Sequence, residues 1–198
     1  LLRLLAGILP VQGGKIKFVG KDRKKSDMTV GYMPQNPQTL FTANSLRKEL
    51  AGERLEEAAR LTKLTELLDR HPYDLSGGEQ QRAAMAKLLL ADPDIYLLDE
   101  PTKGMDCEFK QCLAEMFDSL KARGKTVITV SHDVEFCARS SDICAMLFDG
   151  GIAGVADTRS FFSGNYFYTT AANRLSTQVF QNCVTDADVI ELCRENMS

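Results

Sequence analysis

Residues 95–101 of the chain are IYLLDEP, and this stretch decides the fold class. The four apolar residues from Ile95 to Leu98 form a continuous run, which is typical of a short strand buried on both faces in a parallel sheet. Asp99 and Glu100 follow at the C-terminal end of the predicted strand, where open α/β sheets bind ligands. Successive strand residues point in opposite directions, so the two carboxylates need not share a task. The alternative interpretation is a solvated pair of carboxylates.

Strands and helices alternate on both sides of this stretch. Apolar runs and period-two alternation predict further strands at 15–19, 29–33, 126–130 and 143–148, the last of them paired with 152–155. Apolar residues at helical spacing predict helices at 1–6, 54–70, 79–91, 109–120, 166–174 and 186–196. Buried strands that alternate with helices imply an α/β layered domain with a mainly parallel sheet and a small antiparallel part. Residues of about 44–75 interrupt this alternation as an inserted helical subdomain.

Composition and charge narrow the classes of function. The chain has 198 residues, of which 44% are hydrophobic and 26% charged, and this composition is ordinary for a globular protein. A net charge of −3 supplies no basic field, so no nucleic-acid partner is expected. The six cysteines include no C-x-x-C pair and only two histidines accompany them, so a zinc site is not expected. No run of 18 apolar residues occurs, which predicts no membrane-spanning segment.

A glycine pair stands directly before one predicted helix. Residues 74–82 are DLSGGEQQR, in which Ser76 is followed by Gly77 and Gly78. Glycines let the backbone approach a ligand closely, and the first N–H groups of a helix attract an anion. A plain glycine-rich turn with a serine cap is the structural alternative.

Two further residues follow predicted strands. His132 lies just past the strand at 126–130, where an imidazole can contact a terminal phosphate. Gln35 lies in a loop between two prolines after the strand at 29–33, where its amide oxygen can contact a metal ion or a water molecule. Taken singly, a lone histidine is more often structural and a loop glutamine is more often only solvated.

The order and spacing of these residues resemble the nucleotide-binding domain of the ATP-binding cassette (ABC) family, over residues 1 to about 157. Five segments carry the resemblance, namely the Q-loop at Gln35, the signature motif at 75–79, the Walker B strand at 95–100, the D-loop at 103–106 and the switch histidine His132. Glu79 stands where the family most often has Gln. The resemblance implies a layered P-loop NTPase-like fold, with residues 158–198 as a C-terminal helical extension.

The resemblance also implies roles in the binding and hydrolysis of ATP with Mg²⁺. Glu100 would polarise the attacking water, and Asp99 would hold Mg²⁺ through its shell. Gln35 would reach the metal ion or the water, and His132 would contact the γ-phosphate. Asp106 would link two active sites across a dimer with a second ABC half.

The signature residues Ser76, Gly77 and Gly78 would bind the γ-phosphate of the ATP that the opposite subunit holds.

No G-x-x-x-x-G-K-[ST] motif, whose amides cradle phosphates in P-loop enzymes, occurs in the sequence. Ser119 to Thr126 lacks the first Gly and leads into a predicted strand rather than a helix. Residues 1–6 resemble the helix that follows the P-loop in this family, so we expect a chain that is cut after this motif. A degenerate half-site is the alternative. The chain alone is expected to be inactive as an ATPase.

Two segments indicate a subfamily. Residues 36–42 and 163–174 resemble the C-terminal half of fused energy-coupling factor ATPases. This resemblance implies an importer subunit at the cytoplasmic face of the cell membrane, which couples ATP hydrolysis to uptake of a vitamin or metal ion through a transmembrane coupling protein. An amphipathic helix that covers the core is the structural alternative for the second segment. The alternative function is a soluble ABC-type ATPase that acts on the ribosome in translation.

Overall fold

The computed structural model describes residues 1–17, 28–164, 168–177 and 183–196. The described part of the chain divides into two compact units, Leu1–Ser131 and His132–Ser198. Its helices are α1 (Leu2–Leu5), α2 (Leu46–Glu49), α3 (Leu55–Leu61), α4 (Gly77–Ala91), α5 (Cys107–Ala122), α6 (Val134–Ser140), α7 (Thr158–Ser163), α8 (Ala171–Ser176) and α9 (Asp186–Asn196). Its strands are β1 (Val30–Met33), β2 (Ile95–Asp99), β3 (Thr126–Val130), β4 (Ile143–Phe148) and β5 (Gly151–Asp157). None of these helices combines the length and the apolar character that a membrane span requires.

The first unit is built around a parallel sheet in the order β1-β2-β3. The middle strand β2 is buried from Ile95 to Leu98, as its continuous apolar run predicts. Ile95 and Leu97 pack with Leu2 of α1 in one cluster, so the helix covers one face of the sheet. Parallel strands between helices, together with the separate hairpin of the second unit, confirm the predicted α/β fold class.

The helix α4 lies against the sheet at β1. Gly31 allows this close approach, because a Cβ atom at this position would come within 2.5 Å of the Leu88 side chain. The first part of α4 lies near the end of β2, because Gln81 Nε2 donates to the Glu100 carbonyl at 3.3 Å.

The second unit contains an antiparallel hairpin of β4 and β5. Cys144 of β4 packs with Ala138, Phe162 and Val184 in a small buried cluster. The predicted antiparallel part is therefore present.

The predicted helix at 54–70 is too long. The α-helix ends at Leu61, and a 3₁₀ turn at Thr65–Leu67 follows it. Lys63 adopts a left-handed conformation with φ of 53°, and Thr62 donates its hydroxyl to the carbonyl of Ala58 at 2.7 Å. The apolar spacing continues past this break because Leu64 and Leu68 are buried after the chain changes direction.

Two other predictions, toward the two ends of the chain, need correction, and part of each lies outside the described residues. The helix predicted at 166–174 begins only at Ala171, and residues 166 and 167 lie outside the described part. Of the strand predicted at 15–19, residues 15–17 form no strand and residues 18 and 19 lie outside the described part. The helix predicted at 1–6 is confirmed as the short α1, which has no side-chain cap.

Candidate functional site

The candidate residues of the first unit lie where its parallel strands end. Because β1 and β3 pair in parallel with β2, the carboxyl ends of all three strands meet at one edge of the sheet. Gln35 follows β1, Asp99 and Glu100 close β2, and Ser131 follows β3. The sequence thus places an amide, two carboxylates and a hydroxyl at the edge where α/β sheets bind ligands.

The backbone of Glu100 is held in an unusual conformation. Its φ is 52°, a left-handed value that costs a non-glycine residue about 1–2 kcal/mol. The Glu100 N–H donates to the carbonyl of Val130 at 2.8 Å, and its own carbonyl accepts from the Lys103 N–H at 3.2 Å. Its carboxylate Oε2 accepts from the Ser131 hydroxyl at 3.4 Å. Neighbouring strand and turn residues therefore fix the direction in which this half-buried carboxylate leaves the sheet.

Asp99 is oriented from β1. The Tyr32 hydroxyl donates to Asp99 Oδ2 at 3.4 Å. A hydrogen bond between the Arg3 guanidinium and the Tyr32 phenol raises the pKa of Arg3, and the Asp99 charge contributes to the same shift. Asp99 therefore offers a half-buried, oriented carboxylate oxygen, which is the ligand type that Mg²⁺ prefers. In the described ranges, no group of three or more His, Cys, Asp or Glu side chains could hold a metal ion.

The turn before α4 forms a reciprocal cap. The Ser76 hydroxyl accepts from the Glu79 N–H at 3.3 Å, and Glu79 Oε2 accepts from the Ser76 N–H at 2.7 Å. The hydrogen bond from the Ser76 backbone lowers the pKa of Glu79. Gly77 is exposed, and a Cβ atom there would meet nothing within 4 Å. A ligand can therefore approach this backbone, where the dipole of a 15-residue helix favours an anion.

Gly78 packs backbone to backbone against the turn that precedes α5. A Cβ atom on Gly78 would lie 2.4 Å from the Gly104 carbonyl oxygen, and Gly104 itself has a φ of 73°. Asp106, two residues later, caps α5 by accepting from the Phe109 N–H at 2.7 Å, and it remains exposed. The structure therefore brings the predicted signature turn and the predicted D-loop into direct contact.

The remaining two predicted residues are exposed. Gln35 lies between β1 and a 3₁₀ turn at Pro37–Leu40, which Asn36 caps. His132 is the first residue of the second unit. Gln35 shares the sheet edge with the two carboxylates, and His132 directly follows Ser131 in the chain.

Three residues that sequence reasoning missed contact Asp99 or Glu100, two of them at the carboxylate and one at the backbone carbonyl. Besides Tyr32 and Ser131, Gln81 of α4 donates from Nε2 to the Glu100 carbonyl at 3.3 Å. Nineteen to 67 residues separate these side chains from the carboxylates in sequence. Weak signals were nevertheless present, because Ser131 adjoins His132 and Gln81 follows the glycine pair.

A family described as ABC transporter matches residues 1–103, slightly more than half of the chain. The chain therefore belongs to the ABC transporter family of ATP-binding proteins.

Three relatives place the chain within this family. A protein of Bacillus anthracis with the provisional name ABC transporter ATP-binding protein is 40% identical over 213 aligned positions, covering 100% of this chain and 39% of the relative. The zinc transport system ATP-binding protein of Treponema pallidum is 32% identical, over 91% of this chain and 74% of that protein. The energy-coupling factor transporter ATP-binding protein of Mycoplasma pneumoniae is 30% identical, over 73% of this chain and 59% of that protein. This chain spans about two fifths of the length of the Bacillus relative.

A solved structure shares the fold. It is a dimeric ATP-binding cassette in a post-hydrolysis state, bound to ADP and Pi, and it matches with a TM-score of 0.70. The match covers 80% of this chain and 79% of that chain at 22% identity. At this identity the likeness shows the fold alone, and it agrees with the layered P-loop NTPase-like fold.

Proposed function

We propose that this chain is part of the ATP-hydrolysing subunit of an ABC importer that takes up a micronutrient, either a vitamin or a metal ion. The observation that carries the proposal is the sheet edge, where the ordered carboxylates of Asp99 and Glu100 lie beside the contact between the α4 turn and the 103–106 turn. Relatives named for zinc transport and for an energy-coupling factor transporter support the transporter class within this proposal.

The chemistry follows from what each side chain can do at that edge. Glu100 accepts a proton from the water that attacks the γ-phosphate, since its carboxylate is half-buried and its backbone is held on both sides. His132 contacts the γ-phosphate, and Gln35 reaches the metal ion or the attacking water. In this proposal residues 1–157 belong to the ATPase domain and residues 158–198 to a helical extension.

The oxygen ligands present fit Mg²⁺ bound together with a nucleotide. In nucleotide enzymes this ion is commonly held by one or two carboxylates together with substrate phosphates, so three protein ligands are not required. Asp99 and the amide oxygen of Gln35 would supply the protein part. When bound, Mg²⁺ neutralises charge on the phosphates.

A second ABC half completes the proposed site. Ser76, Gly77 and Gly78 would meet the ATP of that half at the start of α4, and Asp106 lies two residues after Gly104, which Gly78 contacts. A transmembrane coupling protein is the proposed membrane partner, which places the subunit peripherally at the cytoplasmic face. Co-purification tests this partner, because ribosomes instead of a membrane protein would support a role in translation.

The direct test is Glu100→Gln in the complete gene product that contains these residues. We expect Mg²⁺-dependent ATPase activity in the wild type, and a loss of at least about 100-fold in the variant because the general base is gone. The variant should retain unhydrolysed ATP and elute as a closed dimer in size-exclusion chromatography.

The matched control is Glu115→Gln, since Glu115 is an exposed glutamate of α5 whose carboxylate accepts from Gln111 at 3.0 Å. It should leave turnover unchanged. Unchanged turnover in Glu100→Gln would contradict the role of Glu100, and a wild type without ATPase activity would contradict the proposed function. The 198 residues alone should show no appreciable hydrolysis, because they contain no phosphate-cradling G-x-x-x-x-G-K-[ST] motif.

A further inference from the structure

Gln81 is a buried amide that joins α4 to the end of β2. Its side chain is 2% exposed, and Nε2 donates to the Glu100 carbonyl at 3.3 Å. Its Oε1 atom is buried and accepts no hydrogen bond from any residue that the structure describes. A buried acceptor without a donor lowers stability, so packing alone is a poor reason for a glutamine at this position.

The acceptor of this bond belongs to a residue whose backbone needs support. Glu100 has a left-handed φ of 52°, a conformation that a non-glycine residue keeps only when its surroundings impose it. Three hydrogen bonds to its backbone groups hold it. Its N–H donates to the Val130 carbonyl, and its carbonyl accepts from the Lys103 N–H and from Gln81 Nε2. Gln81 supplies the only one of the three that comes from a side chain.

We propose that Gln81 is a positioning residue that fixes the backbone of Glu100 and thereby aims its carboxylate at the attacking water. The proposal rests on the proposed function, in which Glu100 polarises that water. Because Ser76 caps the same helix α4, this helix then carries both the predicted contact to the ATP of the second half and the support for Glu100.

The test is Gln81→Met in the complete gene product, since methionine keeps the length of the side chain and removes the donor. We expect kcat for ATP hydrolysis to fall between about 10- and 100-fold, the usual range when a reacting group is displaced by up to about 1 Å. KM for ATP and the number of ATP molecules bound per dimer should stay within about twofold of the wild type, because the phosphate contacts are unchanged.

A second variant and a control separate positioning from folding. Gln81→Asn keeps the amide but withdraws it by one methylene, so it should also lower kcat while it disturbs packing in a different way. Thr62→Val removes another fully buried side-chain bond to a carbonyl of the same unit, that of Thr62 to Ala58 at 2.7 Å. It should lower the melting temperature and leave kcat per bound ATP within about twofold.

Two results would overturn the inference. One is a kcat within twofold of the wild type in whichever of the two Gln81 variants folds. The other is a parallel loss of kcat and ATP binding, which would indicate general unfolding. Failure of the proposed function is distinguishable from both, because it would appear as a wild type without ATPase activity or as a fully active Glu100→Gln variant.

Discussion

Two helices, α4 in the first unit and α9 in the second, begin with the same reciprocal hydrogen bonds. In α4 the Ser76 hydroxyl accepts from the Glu79 N–H, and Glu79 accepts from the Ser76 N–H. In α9 the Thr185 hydroxyl accepts from the Asp188 N–H at 3.2 Å, and Asp188 accepts from the Thr185 N–H at 2.8 Å. Each cap therefore satisfies backbone N–H groups that a helix start leaves without partners.

The residues between cap and carboxylate differ, and with them the surface that each helix start offers. Gly77 leaves the backbone of α4 open to a ligand, and Gly78 lets it pack against the Gly104 carbonyl. In α9 an aspartate, Asp186, follows the cap and pairs with Arg139 at 2.9 Å, while Asp188 pairs with Arg159 at 2.8 Å. The positive end of the α9 dipole is thus already compensated by the chain's own carboxylates. A helix cap alone therefore does not indicate a ligand site. The two residues that follow the cap decide whether the helix start is open to a ligand.

The largest expected effect comes from the second residue after each cap. Gly78→Ala places a Cβ atom 2.4 Å from the Gly104 carbonyl oxygen, so one of two backbone segments must move. We expect the free energy of unfolding to fall by about 2–3 kcal/mol. In the complete gene product, ATPase activity should fall by at least about tenfold, because a displacement of the signature turn disturbs positioning.

The matched change in the other helix is Ala187→Gly, at an exposed position of α9. It should cost at most about 1 kcal/mol, the difference in helix propensity between the two residues. Urea denaturation followed by circular dichroism measures both variants, since the chain contains no tryptophan. A Gly78→Ala protein as stable as the wild type would show that the 76–78 turn does not pack tightly against the 103–106 turn.

Sequence reasoning predicted the parts of the fold that depend on local pattern. The apolar run at 95–98 predicts the buried strand β2, the glycine pair after Ser76 adjoins the predicted start of α4, and the structure contains both features. These predictions succeed because a continuous apolar run and an N-terminal cap are both signals carried by neighbouring residues.

What sequence reasoning missed depends on contacts between distant segments. The bond from Gln81 to Glu100 needs the exact packing of α4 against the end of β2, and no periodicity encodes it. The break of the predicted 54–70 helix was missed for a similar reason. Leu64 and Leu68 keep helical spacing, while the left-handed turn at Lys63 is set by tertiary packing. The roles of the site residues remain predictions from the family resemblance.

The next largest expected effect is the contribution of the carboxylate in each cap to the free energy of unfolding, which depends on pH. Burial alone would raise the pKa of Asp188, but hydrogen bonds from the Thr185 and Val184 backbone and from Arg159 lower it to about 2. Because this pKa lies below the ordinary value of 3.8, the ionised carboxylate stabilises the fold above about pH 4. The contribution disappears as the pH falls toward 2.

Asp188→Asn should therefore lower the free energy of unfolding at pH 7 by roughly 1–2 kcal/mol. The difference from the wild type should shrink as the pH falls from about 4 to 2, which denaturation at a series of pH values measures. Glu79→Gln is the matched change in α4, where the hydrogen bond from the Ser76 backbone also lowers the pKa of the carboxylate. A difference for Asp188→Asn that stays constant down to pH 2 would contradict the linkage to this carboxylate.

The smallest expected effect on stability comes from removing the capping hydroxyl of each helix, and this change distinguishes the two helix starts most clearly. Ser76→Ala and Thr185→Ala each remove one hydroxyl that accepts from a helix N–H, so each should lower the free energy of unfolding by about 1 kcal/mol. Their effects on ATP should differ. Ser76→Ala should raise KM for ATP about tenfold in the complete gene product, because a hydrogen bond to a charged phosphate is lost, whereas Thr185→Ala should leave KM unchanged. Both variants delete a capping hydroxyl from the same helix position, so equal KM values would mean that α4, like α9, is only capped and that its start receives no phosphate.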